Sequence, residues 1–300
     1  MRSMISVNKA GGVGKTMLCE LLCKYVDRFD EQYKTYCIEG EGLRENYQSP
    51  LRRAIPHTKD VFFQTPYDKP SQDLSEQLRM WCSVIDPVLA GNHIVDFGAN
   101  ALASYQYITQ MMGFNDRFWD GVADTQKRMR PILFVPVTAG HVSQLDAIDI
   151  LKWLFRDGAI NAYHHVVVVQ NEVQGQIFLH PGLERVIKKA GEKVSLITIE
   201  YNSFFRAIAD YSINARELDE FQNAPEPEAK AMLDDGDSML KMGMAVAVER
   251  WGTKIFDQLD RIGLHKMLKL ETKVPPSVPS VSSVSVPMKL ASNEQDSAAK

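Results

Sequence analysis

A lysine and a threonine stand directly after a glycine-rich segment near the start of the chain. The segment reads Gly11-Gly12-Val13-Gly14-Lys15-Thr16. Glycines let the backbone turn sharply and present its N–H groups to an anion without obstruction by β-carbons. Lys15 is placed to reach the β- and γ-phosphates of a nucleotide, and the Thr16 hydroxyl can ligate Mg²⁺. Because an apolar strand precedes the segment and a helical pattern follows it, a phosphate-binding loop is favoured over an incidental glycine-rich turn.

Acidic side chains stand at the ends of two further apolar segments. Asp96 lies near the end of residues 93–97, and a carboxylate there could hold the water shell of Mg²⁺. The alternative is that Asp96 caps the N-terminus of the next helix. Glu39 and Glu41 stand at the end of another apolar segment, residues 35–39. Each of these two could act as a general base or orient a water molecule, and each could equally be a solvated loop acid.

Short apolar runs alternate with helical stripes along most of the chain. Six runs predict strands, at residues 3–8, 35–39, 93–97, 131–137, 166–171 and 194–199. Apolar spacing predicts helices at residues 17–26 and at about 142–155. This alternation predicts an α/β fold, a mostly parallel sheet with helices on both faces. In such sheets, ligands bind at the C-terminal ends of the strands.

Changes in composition divide the chain into three parts. We predict a nucleotide-binding domain over residues 1–225, with an irregular insertion at residues 43–80. Residues 226–265 predict a helical extension. Residues 274–300 are rich in Pro, Ser and Val and cannot bury enough apolar surface to offset their ordering entropy. We therefore expect a disordered tail there.

The glycine-rich loop resembles that of a known family. Residues 11–16 are similar to the KGGxGKT loop of the deviant Walker A ATPases, the ParA/MinD group. The resemblance implies a P-loop NTPase fold, an ATPase activity, Mg·ATP as the ligand and a homodimer that forms with ATP. In this family a lysine directly precedes the two glycines and reaches the partner subunit's phosphates. That position is Ala10 here, and the lysine stands one place earlier, at Lys9.

Other segments extend the resemblance over about residues 3–215. Residues 92–100 resemble the Walker B and switch II segment, which implies that Thr16 and Asp96 hold Mg²⁺. Near Glu39 the family usually carries acids, the first of which positions the attacking water. The implied catalytic residues are Lys15, Lys9, Glu39 and Asp96. Asn171 stands where an asparagine of the family often reads the adenine base, so we expect it to bind the nucleotide together with residues 11–16.

Within this group, three features look unlike chromosomal partition proteins or MinD: the insertion, the acidic residues in the segment 39–42, and the segment 96–100. They resemble plasmid stability or conjugal-transfer proteins of the StbB or TraL type. That resemblance implies a plasmid-encoded DNA-binding adaptor or a relaxosome protein as a partner. Two alternatives remain open. Ala10 in the signature position motivates a nucleotide-gated scaffold with little or no hydrolysis. A small-molecule P-loop kinase would instead need an acceptor pocket lined by residues 43–80.

Charge and composition exclude several classes of protein. The 300 residues carry 34 Lys and Arg against 38 Asp and Glu, a net charge of −4, which excludes a bulk polyanion binder of the histone kind. Basic clusters at residues 127–130 and at Lys188, Lys189 and Lys193 could contact DNA non-specifically or simply be solvated. No apolar run approaches the roughly 18 residues needed to cross a bilayer. We expect a cytoplasmic protein without stable membrane insertion, whose four cysteines are core thiols.

Overall fold

One parallel sheet organises the part of the chain that the structure describes. The structure is a computed structural model and describes residues 1–40, 48–63, 74–113, 129–156, 158–202 and 238–270. The strands are Met4–Ser6 (β1), Lys34–Gly40 (β2), Lys59–Phe63 (β3), His93–Phe97 (β4), Ile132–Val137 (β5), His165–Asn171 (β6) and Val194–Ile199 (β7). Their order is β3-β2-β4-β1-β5-β6-β7, and each neighbouring pair is parallel. The predicted fold class is confirmed.

Helices lie on both faces of this sheet. They are Lys15–Asp27 (α1), Pro50–Ala54 (α2), Leu74–Ala90 (α3), Ala101–Met111 (α4), His141–Arg156 (α5), Pro181–Ala190 (α6), Ser238–Arg261 (α7) and Leu264–Leu268 (α8). Alternate residues of a strand point to opposite faces, and β1 shows this directly. Met4 packs in the core with α1, α7 and α8, whereas Ile5 packs in the core with α3, α4, α5 and α6. Strands buried on both faces read as continuous apolar runs, which is why most of them were predictable.

The direction in which the chain crosses the sheet changes beside β1. From β1 the chain goes to β2 and β3 on one side, returns to β4, and then continues from β5 to β7 on the other side. The loops that leave β1 and β4 therefore diverge, and they open a crevice at the C-terminal ends of these strands. The glycine-rich loop follows β1 directly, so the topology places it at this crevice.

The segment predicted as an irregular insertion contains regular structure. Residues 48–63 and 74–80 of that segment are described, and they include α2, β3 and the first part of α3. β3 pairs with β2 from Tyr36↔Lys59 to Gly40↔Phe63 and forms one edge of the sheet. This strand was not predicted because an edge strand is short and partly solvated: Lys59 and Phe62 are both exposed. Residues 43–47 and 64–73 lie outside the described residues.

The opposite edge of the sheet is covered by α7, which lies in the segment predicted as a helical extension. The Gln258 side chain accepts a hydrogen bond from the Thr198 N–H at 2.8 Å and donates one to the Thr198 carbonyl at 2.7 Å. Trp251 donates its ring N–H to the carbonyl of Glu200. Residues 226–237 and the predicted tail at 274–300 lie outside the described residues. Among the described helices, none combines the length and hydropathy that crossing a bilayer requires.

Candidate functional site

The glycine-rich loop depends on backbone conformations that favour glycine. Gly12 has φ 69° and Gly14 has φ 88°, both in the left-handed region. Gly14 is also the N-cap of α1, so the loop delivers its last N–H groups at the helix N-terminus. A β-carbon on Gly14 would collide with the side-chain nitrogen of Asn171. Two separate constraints therefore require glycine at this position.

Asn8 holds the start of the loop against the neighbouring strand. It is fully buried at the end of β1. Its Oδ1 accepts the backbone N–H of Ala10 at 2.9 Å, and its Nδ2 donates to the carbonyls of Pro136 at 2.7 Å and Ser143 at 3.3 Å. The loop is thus fixed to the ends of β5 and α5 before any ligand is present. Asn8 is not among the predicted site residues. Its position would have indicated a role, because it is a polar residue at the end of an apolar segment and directly before the phosphate-binding loop.

Lys15 is a buried cation in the loop. The residue is 8% exposed, and its ammonium donates to the Ala10 carbonyl at 2.9 Å. Burial lowers the pKa of Lys15, and the negative charges of Asp96 and Glu39 act in the opposite direction. The ammonium is therefore held inside the loop, within range of the charges of two carboxylates, and has lost much of its hydration. An anion entering the loop would find a desolvated positive charge already in place.

Asp96 and Thr16 form the polar pair at the other side of the loop. The Thr16 hydroxyl donates to Asp96 Oδ2 at 2.6 Å, whereas Asp96 Oδ1 is buried and has no hydrogen-bond partner among the described residues. Burial raises the pKa of the Asp96 carboxyl, and the Thr16 hydrogen bond and the Lys15 charge oppose that rise. A hydroxyl and a carboxylate are hard oxygen donors, and the unpartnered oxygen leaves one site open. This donor set fits Mg²⁺, which is typically bound by carboxylates and water.

Glu39 reaches the same site from the end of β2. Burial raises the pKa of Glu39, and the charge of Asp96 raises it further. A β-carbon at Gly98 would overlap the Glu39 carboxylate and would lie 2.9 Å from the Ile38 carbonyl, so only glycine allows the β4 loop to pass this close. Gly98 also donates its N–H to that carbonyl at 2.7 Å. Glu41, the second acid of the predicted pair, lies outside the described residues.

These side chains surround one cavity of about 340 Å³. Its lining consists of Gly11, Gly12, Val13, Gly14, Lys15, Thr16, Glu39, Asp96, Phe97, Gly98 and Ala99. Backbone N–H groups and an ammonium therefore stand beside a hydroxyl and two carboxylates. This arrangement can bind a phosphate together with a divalent cation. Within the described part of the predicted insertion, residues 48–63 and 74–80, no residue lines this cavity.

Two predicted site residues lie outside the cavity lining. Lys9 is exposed at the start of the loop. Asn171 is 4% exposed, donates its Nδ2–H to the Val13 carbonyl at 3.0 Å and accepts the Val173 N–H on Oδ1 at 3.2 Å. Both ends of its amide are thus engaged by the backbone. The expectation that Asn171 reads the adenine base stays a prediction; the contacts that the structure shows for this side chain brace the loop.

The basic clusters are only partly within the described residues. Lys188 and Lys189 stand exposed in the last turn of α6, where cations complement the helix dipole. Lys193 is exposed after α6, whereas Lys127 and Arg128 lie outside the described residues. This placement is compatible with both readings of these lysines, contact with DNA or ordinary solvation.

Comparisons with known proteins give distant likenesses. No protein-family model matches the chain, and no curated protein matches it. Three similar solved structures are an ATP complex of McdA from Cyanothece (14% identity, 83% of this chain, 96% of that chain, TM-score 0.36), a ParA family ATPase from Chlorobium tepidum TLS (12%, 68%, 86%, 0.38) and the MinD cell division protein of Aquifex aeolicus (14%, 81%, 97%, 0.34). Because these identities and TM-scores are low, the fold class rests on the seven parallel strands of this chain itself.

Proposed function

We propose that this chain is a P-loop ATPase of the ParA/MinD type that binds Mg·ATP in the cavity beside α1. One observation carries the proposal: the Thr16 hydroxyl donates to Asp96 Oδ2 at 2.6 Å, while Asp96 Oδ1 is buried and has no hydrogen-bond partner in the described part of the chain. An unmade buried hydrogen bond costs about 1–3 kcal/mol, so this oxygen calls for a partner that the described chain does not supply. The water shell of a bound cation would donate a hydrogen bond to this oxygen, and the phosphate-binding loop lies next to it.

The chain's own residues take separate roles in this function. Lys15 exchanges the Ala10 carbonyl for phosphate oxygens, and the N–H groups of residues 11–16 hold the phosphates in place. Thr16 and Asp96 hold the metal shell, and Mg²⁺ when bound neutralises charge on the phosphates. Glu39 orients the attacking water. Burial and the charge of Asp96 raise the pKa of Glu39, which makes it a more basic proton acceptor than a solvated glutamate.

The biological role that we propose is DNA or plasmid partition, plasmid stability or conjugal transfer, through a homodimer that forms with ATP. The resemblance of residues 11–16 and 92–100 to the family supports this role. The exposure of Lys9 supports the dimer, because an exposed lysine at the loop can reach a second subunit. A plasmid-encoded DNA-binding adaptor or a relaxosome protein is the expected partner, and exposed Lys188, Lys189 and Lys193 are candidates for non-specific contact with DNA.

The deciding experiment is steady-state ATP turnover together with light scattering. The wild-type protein should release phosphate well above background and double in mass with ATP and Mg²⁺. Lys15→Ala should abolish both signals because it removes the buried cation of the loop. A monomer that transfers phosphate to a small molecule would overturn the proposal in favour of a kinase.

A second candidate function is a nucleotide-gated scaffold that binds ATP without turning it over. The specific observation in its favour is Ala10 at the signature position, with Lys9 outside the cavity lining. Lys9→Ala separates the two functions. If Lys9 acts across a dimer, the variant should bind ATP normally but lose turnover. If the wild-type protein binds ATP and dimerises without phosphate release, the scaffold is the correct function.

A further inference from the structure

Ser6 lies beside Asp96 in the centre of the sheet. It is the last residue of β1 and is 1% exposed. Its Cα is in register with that of Asp96 on β4 and that of Phe134 on β5. Side chains in register on parallel strands project from the same face. Met4 and Ile94, two residues back on β1 and β4, pack with α1 on that face. The Ser6 hydroxyl and the Asp96 carboxylate therefore share the α1 side of the sheet.

Both of these groups have a buried atom without a partner among the described residues. The atoms are Ser6 Oγ and Asp96 Oδ1. Ser3, also in the first strand segment, behaves differently: its hydroxyl donates to the Val88 carbonyl at 2.7 Å and accepts the His93 N–H at 3.1 Å. A serine hydroxyl in this segment can thus be fully satisfied by the protein. The Ser6 hydroxyl has no such partner among the described residues, and neither has Oδ1 of the neighbouring Asp96 carboxylate.

We propose that Ser6 is a positioning residue for Asp96, acting through one buried water that bridges Ser6 Oγ and Asp96 Oδ1. A small polar site with unsatisfied buried partners on both sides is the setting in which internal water is retained. The bridge occupies one lone pair of Asp96 Oδ1 and leaves the other for the metal's water shell, while Thr16 holds Oδ2, so the carboxylate keeps a single orientation. The inference rests on the Mg·ATP function proposed above. Partners of this outer kind typically change metal affinity about 10- to 100-fold when they are removed.

The test compares three variants of the full-length protein: Ser6→Ala, Ser6→Thr and the matched control Ser3→Ala. The first readout is the Mg²⁺ concentration that gives half-maximal binding of a fluorescent ATP analogue. The second readout is the melting temperature of the nucleotide-free protein. Ser6→Ala should raise the Mg²⁺ midpoint about tenfold and lower the melting temperature less than Ser3→Ala does, because the Ser6 hydroxyl makes no direct hydrogen bond within the described chain whereas that of Ser3 makes two. Ser6→Thr keeps a hydroxyl and should restore the midpoint. Ser3→Ala should lower the melting temperature and leave the midpoint unchanged.

Two results overturn the inference. One is a wild-type Mg²⁺ midpoint in Ser6→Ala, and the other is an equal shift in Ser3→Ala, which would indicate general loosening of β1. A crystal structure of the nucleotide-free protein adds a direct readout, in which a water within hydrogen-bond distance of both atoms is expected and its absence overturns the pairing. If the wild-type protein binds no nucleotide at any Mg²⁺ concentration, the proposed function fails, and this water decides the Ser6–Asp96 pairing separately.

Discussion

Around the glycine-rich loop, the buried polar groups on the two sides of β1 differ in whether the protein supplies their hydrogen-bond partners. On the side of β5 and β6, the buried side chains of Asn8, Thr138, Ser143, Gln144 and Asn171 all have hydrogen-bond partners within the protein. On the side of β4 and β2, Asp96 Oδ1 has no partner among the residues that the structure describes, and burial raises the pKa of both Asp96 and Glu39. Ser6 Oγ, on β1 itself, is also open.

This difference separates the part that holds the loop from the part that is built for a ligand. A satisfied network is rigid and costs free energy to disturb, whereas open donors and acceptors are stabilised only when something binds them. The loop is therefore anchored on one side and exposed to its ligand on the other. The difference also makes the two sides respond oppositely to mutation.

The largest expected effect is on the ligand side. Lys15→Ala should weaken binding of a fluorescent ATP analogue about 10- to 100-fold, since hydrogen bonds to a charged group contribute about 1.5–3 kcal/mol. The nucleotide-free protein should not lose stability, because burial already disfavours the ammonium. Lys152→Ala, at an exposed position of α5, is the matched control and should bind normally. A large loss of stability in Lys15→Ala without nucleotide would contradict the division between the two sides.

On the anchoring side, Asn171→Ala should lower the free energy of unfolding by about 1–3 kcal/mol, because it leaves the Val13 carbonyl and the Val173 N–H without their partner. Urea denaturation measures the change. The preference for ATP over GTP should stay as in the wild type. A changed preference for ATP over GTP with an unchanged free energy of unfolding would instead indicate that Asn171 reads the base.

Asp96→Asn should stabilise the nucleotide-free protein at pH 7, since a carboxyl whose folded pKa is raised by burial is destabilising when it is ionised. The same variant should lose Mg²⁺-dependent nucleotide binding. Asp60→Asn is the matched control: its carboxylate is 2% exposed but accepts the Ser49 hydroxyl at 2.6 Å and lies 3.6 Å from Arg52. Asp60→Asn should destabilise the protein. If Asp96→Asn and Asp60→Asn changed the free energy of unfolding equally, the contrast between a carboxylate with an unpartnered oxygen and a fully hydrogen-bonded one would be contradicted.

The smallest expected effect is a pH dependence at the start of β6. Burial lowers the pKa of His164 from its ordinary value of 6.5 to about 4, and burial also lowers that of His165. The unfolded chain binds these protons first as the pH falls, so stability should decrease between pH 6.5 and about 4. A double variant, His164→Asn with His165→Asn, should flatten this part of the curve of unfolding free energy against pH. An unchanged slope would show that other groups carry it.

The sequence predicted the strands that are buried on both faces and the loop that follows β1. Continuous apolar runs identify such strands, and glycines with a lysine and a threonine identify the loop from local chemistry alone. β3 was missed because an edge strand with exposed residues lacks the apolar run that marks a buried one. Local sequence patterns therefore identify the buried strands and the loop, but they do not identify the edge strand β3.

The candidate site was less predictable because its geometry depends on long-range contacts. Residue type and strand position placed Thr16, Glu39 and Asp96 near one another, as the ends of adjacent parallel strands must be. The orientation of Asn171 depends on the path of a loop 158 residues away in sequence, and no local pattern records it. The close approach of Gly98 to Glu39 and the bonds of Asn8 are likewise visible only once the strands are side by side.

The two hydrogen bonds of Gln258 with the backbone of Thr198 have a consequence for aggregation. They occupy an N–H and a carbonyl on the outer edge of β7, where a strand from another molecule would otherwise pair. A chain shortened to end before α7 would leave that edge bare and should form β-rich aggregates at concentrations where the full chain stays dispersed. In the full chain, the backbone of Thr198 is therefore not free to pair with a strand of a second molecule.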